Sequence, residues 1–184
     1  MKLLGPTLAD LDGNEEDRRH TVSVFNGPSP TIDIARDEEA EAKAVAAWIA
    51  GRTIEGLLPH ELGVFVRSGA QLDRAVAAVE RAGLVPRRLD EHVETASGQV
   101  SVATMHLAKG LEFRAVAVMA CDDEVILLQE RIETVGDDAD LQEVYDTERH
   151  LLYVACTRAR HHLLVTGVAP ASEFIEDLAE SRKG

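Results

Sequence analysis

Residues 100–120 read VSVATMHLAKGLEFRAVAVMA, a polar segment between two apolar runs. The flanking runs, Val100–Ala103 and Ala115–Ala120, predict two buried strands. Between them, Thr104–Glu112 combines a hydroxyl, an imidazole, an ammonium, a glycine and a carboxylate within nine residues. Because loops at strand ends can carry chemistry on a rigid scaffold, we predict a functional site in this loop.

The bulk composition favours one α/β domain. Of the 184 residues, 45% are hydrophobic but only 4% are aromatic, so the core must consist mainly of Val, Leu, Ile and Ala. Such a core suits parallel strands covered by helices. The formal net charge of −14 argues against a membrane surface or a broadly basic nucleic-acid platform, although the bases could still converge locally.

The cysteines and the hydropathy indicate a cytoplasmic protein. Cys121 and Cys156 have no CxxC or Cys/His ligand spacing, which indicates plain thiols and no metal site. The sequence has no signal-like start and no apolar run approaching the length of about 20 residues that a membrane span needs. We therefore expect a reducing cytoplasmic location and no membrane partner.

The order of the predicted elements indicates a doubly wound, mostly parallel sheet with helices on both faces. Residues 1–30 are rich in turn formers around a β-like run at Thr21–Phe25, and we expect an irregular segment there, followed by one domain over residues 31–184. Further strands are predicted at Thr31–Ala35 on a sheet edge, Leu62–Val66, Leu84–Arg88 and His161–Thr166. Helices are predicted from an acidic entry at Asp37 to a stop at Gly51, and over Leu72–Ala82, Leu141–Arg160 and Glu173–Ala179.

Polar clusters stand where three of these elements end: Arg67–Gln71, Thr104–Glu112 and Glu148–Arg160. Each alone has an ordinary explanation, as a strand-end arginine, a capping threonine beside a surface histidine, or the solvated face of a helix. Together they suit a polyphosphate and a sugar, since guanidinium groups donate to phosphate oxygens and a carboxylate accepts from ribose. The sequence lacks a G-x-x-x-x-G-K-[ST] phosphate loop, so we expect an incomplete nucleotide site.

Three segments resemble helicase motifs of the UvrD/Rep family in superfamily one. Thr104–Phe113, TMHLAKGLEF, is similar to the fifth motif, T-x-H-x-x-K-G-L-E-F. Glu148–Arg160, ERHLLYVACTRAR, resembles the sixth motif, and Val64–Gln71, VFVRSGAQ, resembles the fourth. The resemblance implies that this chain is the C-terminal, second RecA-like domain of an ATP-dependent DNA helicase or translocase. Its implied partners are single-stranded DNA and an N-terminal RecA-like domain of the same helicase.

The resemblance implies a nucleotide role for four residues. Arg67 and Arg158 would reach the γ-phosphate of an ATP that is held, with Mg²⁺, mainly by the first domain, and would stabilise charge in the transition state. Glu112 would accept a hydrogen bond from the ribose, and Gly110 would allow close approach of the backbone.

The resemblance implies a DNA role for three more residues. Thr104, His106 and Lys109 would contact phosphates of single-stranded DNA, or couple that contact to the nucleotide, with salt-dependent and sequence-independent affinity. Movement from three-prime to five-prime is implied by the family alone.

Two features depart from long members of the family. Val66 stands where many members have a tyrosine that stacks on adenine, which argues against that stacking here. Only 37 positions separate Arg67 from Thr104, and independent domains rarely fall below about 50 residues, so we expect no accessory-domain insertion. We expect the chain alone to be catalytically silent. The rival hypothesis is a RecA-like binding or regulatory module without catalysis, which the net charge of −14 also suits.

Overall fold

The computed structural model describes residues 7–9, 15–17, 28–126 and 138–175. In this part of the chain, a two-stranded antiparallel sheet is formed by β1 (Thr7–Ala9) and β2 (Glu15–Asp17). A second sheet has six strands: β3 (Thr31–Ala35), β4 (Leu62–Val66), β5 (Val85–Arg88), β6 (Gln99–Thr104), β7 (Phe113–Val118) and β8 (Ala159–Val168). The helices are α1 (Glu38–Ile54), α2 (Leu72–Arg81) and α3 (Asp138–Thr157).

The large sheet is parallel throughout its described strands. Its order is β3-β8-β7-β4-β6-β5, and each neighbouring pair runs in the same direction. Thr31–Ala35 lies at one edge, as predicted. The predicted α/β class is confirmed. The carboxyl ends of all six strands lie side by side at one end of the sheet, which we call its carboxyl edge, and their amino ends lie at the opposite, amino edge.

Helices cover both faces of the sheet, as predicted for a doubly wound fold. One core cluster joins α1 and α2 to the sheet through residues such as Val45, Ile49 and Val79. The other joins α3 to the opposite face through Leu152 and Ala155. Most core side chains are aliphatic, because the chain has few aromatics to place there.

Helix α1 continues past Gly51, so the predicted stop at that residue is wrong. The helix ends instead at a Schellman arrangement, in which Leu57 N–H donates to the Arg52 carbonyl at 3.1 Å and Gly56 N–H donates to the Thr53 carbonyl at 3.0 Å. Gly56 has φ +95°, a left-handed conformation that favours glycine. A glycine ends a helix where the following residues satisfy the last carbonyls, and of the two glycines Gly51 and Gly56 only Gly56 has that context.

Helix α3 ends at Thr157, three residues before the predicted end. The pairing of β7 with β8 begins with Phe113 opposite Ala159, so Arg158 alone connects the helix to the strand. Ala159 and Arg160 fit the helical period of α3 as well, but they belong to β8, which pairs with β7 from Ala159 onward.

Other predictions fall partly or wholly outside the described residues. The β-like run Thr21–Phe25 lies outside them. Of the predicted helix Glu173–Ala179, residues 173–175 are described and are helical. Within the described ranges, none of the helices is both long and apolar enough to cross a membrane.

Candidate functional site

The carboxyl ends of β4 and β6 bring Arg67 and Thr104 to the same edge of the sheet. The two strands are parallel neighbours, and Val66 lies opposite Thr104 in their register. Arg67 follows β4 directly, and Thr104 is the last residue of β6. Arg67 and Thr104 therefore lie at the carboxyl ends of neighbouring strands.

Arg67 is buried in an ion pair with Glu148 of α3. Its Nε and Nη2 groups each donate to one oxygen of the Glu148 carboxylate. The exposed fraction is 3% for the Arg67 side chain and 0% for Glu148. This bidentate contact uses one edge of the planar guanidinium group, and the Nη1 end takes no part in it.

The loop from β6 to β7 separates its apolar and polar side chains. Residues 105–108 form one turn of 3₁₀ helix after Thr104, which is half-buried. The buried side chains are Met105, Ala108 and Leu111, and the exposed ones are His106, Lys109 and Glu112. The loop is thus anchored by its apolar residues and presents its imidazole, ammonium and carboxylate outward.

Gly110 gives this loop its reversal. Its φ of +82° is left-handed, where a Cβ would be strained. A Cβ there would meet nothing within 4 Å, so the backbone conformation rather than space requires the glycine. The same open space leaves this peptide accessible from outside.

Glu112 and Arg158 lie at the opposite edge of the sheet, beside the amino ends of β7 and β8. Arg158 Nη1 donates to the Leu111 carbonyl at 3.4 Å, and the Phe113 amide donates to the Arg158 carbonyl at 2.9 Å. Glu112 accepts from Arg160, and both side chains are more than half exposed. The loop and the end of α3 are therefore joined by hydrogen bonds of both backbone and side chain.

Arg158 is half-buried and held against the end of its own helix. Nε donates to the Val154 carbonyl at 3.1 Å, and Nη2 donates to the Thr157 hydroxyl at 3.1 Å. With the bond to the Leu111 carbonyl, three of its five N–H groups donate to described acceptors. The structure thus places Arg158 with the Glu112 end of the loop, and Arg67 with the Thr104 end.

At the carboxyl ends of β7 and β8, carboxylates of the protein itself accept hydrogen bonds from backbone N–H groups and a hydroxyl. Glu41 of α1 is fully buried and accepts from Ala120 N–H at 2.9 Å and from the Thr166 hydroxyl at 2.8 Å. Asp122 accepts from Val168 N–H at 2.6 Å. Arg74 of α2 bridges the two carboxylates, with Nε 2.6 Å from Glu41 Oε2 and Nη1 2.7 Å from Asp122 Oδ2. Strand-end N–H groups that would suit a phosphate are here bound to the protein's own acids.

Two thiols and one imidazole have shifted pKa values. Burial raises the pKa of the Cys156 thiol to about 12 and that of Cys121 well above its usual value. At the amino end of β8, burial and the nearby Arg52 guanidinium lower the pKa of His162, whose Nδ1 lies 2.9 Å from Arg52 Nη1. In the described ranges, no cluster of three His, Cys, Asp or Glu side chains is arranged to hold a metal ion.

Residues 76–169, about half of the chain, match the family model of the UvrD-like helicase C-terminal domain. The matched region contains the β6–β7 loop, α3 and Arg158, whose contacts are described above. The chain belongs to this family. The match begins beyond Arg67, so the UvrD-like domain of this protein extends its sheet through β4 outside the matched range.

Curated relatives of this UvrD-like domain are DNA helicases. It is 40% identical over 85 residues to the ATP-dependent DNA helicase UvrD1 of Mycobacterium leprae, covering 46% of the chain and 10% of the relative. It is 38% identical over 76 residues to the ATP-dependent DNA helicase PcrA of Staphylococcus aureus, covering 41% of the chain and 10% of the relative. The chain thus spans about a tenth of the length of these relatives.

A solved structure shares the fold of this UvrD-like domain. It is the C-terminal domain of a possible DNA helicase from Lactobacillus plantarum, with a TM-score of 0.60 and 23% identity. The superposition covers 83% of this chain and 84% of that one. At this level of identity the likeness concerns the fold alone.

Sequence reasoning gave no role to Glu41 and included Glu148 only as part of a motif. The sequence contained a signal for each residue, because each lies at helical spacing from apolar positions. Glu41 lies four residues before Val45 and eight before Ile49, and Glu148 lies four residues after Val144 and four before Leu152. A carboxylate on the apolar stripe of a helix faces the core and requires a partner there.

Proposed function

We propose that this chain is the second RecA-like domain of an ATP-dependent DNA helicase or translocase. Its membership of the UvrD-like family and the named activities of its relatives support this proposal. The observation that carries it is the β6–β7 loop, in which the fifth-motif residues His106, Lys109 and Glu112 are exposed above a buried apolar side. Because buried side chains anchor the backbone of this loop, it presents these groups with little loss of backbone conformational entropy on binding.

In this proposal the domain completes a nucleotide site that an N-terminal RecA-like domain begins. ATP is held with Mg²⁺ mainly by that first domain. Arg67 donates to the γ-phosphate from its Nη1 end, Arg158 leaves its contacts at the opposite edge of the sheet to reach the same phosphate, and Glu112 accepts from the ribose in exchange for Arg160. Gly110 leaves room for the nucleotide beside its peptide.

The proposal assigns single-stranded DNA to the outer side of the loop. Thr104, His106 and Lys109 contact the phosphate backbone, so affinity is salt-dependent and independent of sequence. Closure of the two domains on ATP and opening after hydrolysis move the protein along one strand in the three-prime to five-prime direction. The motor works in the cytoplasm.

Substitutions in the full-length protein test the proposal. Arg158→Ala is expected to lower kcat for ATP hydrolysis by about 10³-fold, the lower end of the range for arginine fingers, while the Kd for single-stranded DNA is kept. Lys109→Ala is expected to weaken DNA binding and to reduce the slope of log K against log salt by about 0.7. Arg81→Ala is the matched control, because this partly exposed arginine of α2 pairs only with the exposed Glu39 among the described residues.

Two results would contradict the proposal. Unchanged ATPase activity in Arg158→Ala would favour the rival hypothesis of a binding or regulatory module without catalysis. Robust ATP hydrolysis by the 184-residue chain alone, with single-stranded DNA present, would show that no first domain is needed.

A further inference from the structure

Glu148 is a carboxylate without solvent contact in the middle of α3. Its exposed fraction is 0%, and its two oxygens receive Nε and Nη2 of Arg67, which is 3% exposed. The contact joins α3 to the residue that follows β4, across a gap of 81 positions in the sequence. No other pair of oppositely charged side chains among the described residues is buried this completely on both sides.

Stability alone is a weak reason for such a pair. Removing two charges from water is costly, and replacing a buried ion pair by well-packed apolar side chains is often neutral or stabilising. The surrounding cluster, which includes Phe65, Met105 and Leu152, offers an apolar environment of that kind. What the pair supplies, and apolar packing does not, is a fixed orientation of the guanidinium plane.

The geometry of the pair sets where the remaining donors point. Two parallel N–H···O bonds fix both the position of the guanidinium group and the orientation of its plane. The side of the group that binds Glu148 is the one that carries Nε and Nη2. The Nη1 end takes no part in this pair, and the backbone of Arg67 lies at the carboxyl edge of the sheet, directly after Val66, which is opposite Thr104. An arginine held in this way can donate to an oxyanion without first ordering its long side chain.

Helix α3 also relates the two arginines to each other. Glu148 lies ten positions before Arg158, which is about 15 Å along a helix. Arg158 in turn is bound to Val154 and Thr157 at the end of the same helix. One rigid element therefore holds Arg67 through Glu148 and carries Arg158 at its end.

We propose that Glu148 is the positioning residue for Arg67, holding its guanidinium group so that the Nη1 end donates to the terminal phosphate of a bound nucleoside triphosphate. This inference rests on the proposed function, because it requires Arg67 to meet the nucleotide. Glu148 itself touches neither the phosphate nor the metal ion.

A double-mutant cycle in the full-length protein tests the inference, with ATPase kinetics as the readout. Glu148→Gln keeps the size of the side chain but replaces one acceptor oxygen by an amide donor, so the two-pronged contact is lost. We expect kcat to fall by about 10- to 100-fold while KM for ATP changes by less than about threefold, because orientation matters most in the transition state. Arg67→Ala combined with Glu148→Gln is expected to be no slower than Arg67→Ala alone.

The controls separate positioning from structure. Glu143→Gln changes an exposed acid on the same helix and is expected to leave kcat unchanged. Arg67→Lys keeps the charge opposite Glu148 but lacks the planar guanidinium group that can make two parallel hydrogen bonds. This variant is expected to reproduce the fall in kcat even if Glu148→Gln does not fold. Thermal unfolding of each variant establishes that the rates refer to folded protein.

The outcomes distinguish the inference from the proposed function. If Arg67→Ala lowers kcat but Glu148→Gln and Arg67→Lys do not, the positioning role is overturned and the nucleotide role of Arg67 stands. Additive losses in the double variant also overturn it. If Arg67→Ala leaves kcat unchanged, the proposed role of Arg67 is refuted, and the inference falls with it.

Discussion

The Glu41 network predicts a large loss of stability when one carboxylate is removed. In Glu41→Ala, Ala120 N–H and the Thr166 hydroxyl lose their acceptor, and Arg74 loses its fully buried carboxylate partner. Each orphaned buried group costs about 1–3 kcal/mol, and breaking a buried ion pair on one side costs about 3–5 kcal/mol. These costs overlap, because Asp122 still pairs with Arg74 and the hydroxyl can rotate. We expect the free energy of unfolding to fall by about 3–5 kcal/mol.

Urea unfolding of the 184-residue chain at neutral pH, followed by circular dichroism, measures this change. The control is Glu38→Ala, which removes an acid whose side chain is 73% exposed. Its Oε1 atom lies 3.5 Å from Nη1 of the same arginine, at the long end of a contact. Surface pairs of this kind contribute about 0–1 kcal/mol, so its unfolding midpoint should shift little. A loss below about 1 kcal/mol in Glu41→Ala, at unchanged m value, would refute the inference that this carboxylate holds the strand ends to α1.

Three further predictions concern glycines, thiols and a histidine. Gly51→Ala should stabilise the protein by up to about 1 kcal/mol, because this glycine is inside a helix and a Cβ there meets nothing within 4 Å. Gly167→Ala should destabilise it by more than about 1 kcal/mol, because the Cβ would lie 2.7 Å from a backbone oxygen of Cys121; equal urea midpoints for the two variants would contradict this contrast. Cys121 and Cys156 should resist a thiol reagent at pH 8 in the native protein and react in denaturant, and rapid native labelling would disprove their burial. The pKa of His162 is lower in the folded chain than in the unfolded one, so the unfolded state binds more protons as pH falls through about 6.5 and stability should decrease there. His162→Asn should flatten that dependence, and an identical pH profile for the variant would count against the assignment.

The sequence alone predicted the elements that are defined by a repeat of apolar side chains or by a single turn residue. The strand Leu62–Val66 was located to the residue, and the predicted helix Leu72–Ala82 ends within one residue of the end of α2 at Arg81, just before Gly83, which has φ +78°. These features are local, so residues close in sequence decide them. The position of Arg67 and Thr104 at one edge also followed, because parallel strands place their carboxyl ends together.

The remaining features depend on contacts between residues far apart in sequence. Helix α3 ends at Thr157 because strand pairing begins opposite Phe113, a partner 46 positions before Ala159. Similarly, the acceptor of the Arg67 side chain lies on another element, and the helical period of α3 shows only that Glu148 faces inward. Pairing of this kind is set by tertiary structure, which a single sequence does not encode in its local pattern.

The connection between β6 and β7 is short for the distance that it covers. It crosses β4 while returning from the carboxyl to the amino edge, a distance of roughly 20 Å for a strand of six residues. The eight residues between the strands form one 3₁₀ turn and a turn at Gly110, so they reach less than the roughly 26 Å of eight fully extended residues. A connection this short ties Thr104 at one edge to Glu112 at the other, so we expect a ligand that displaces one of them to shift the other as well. We therefore expect the two halves of the loop to respond to their ligands together.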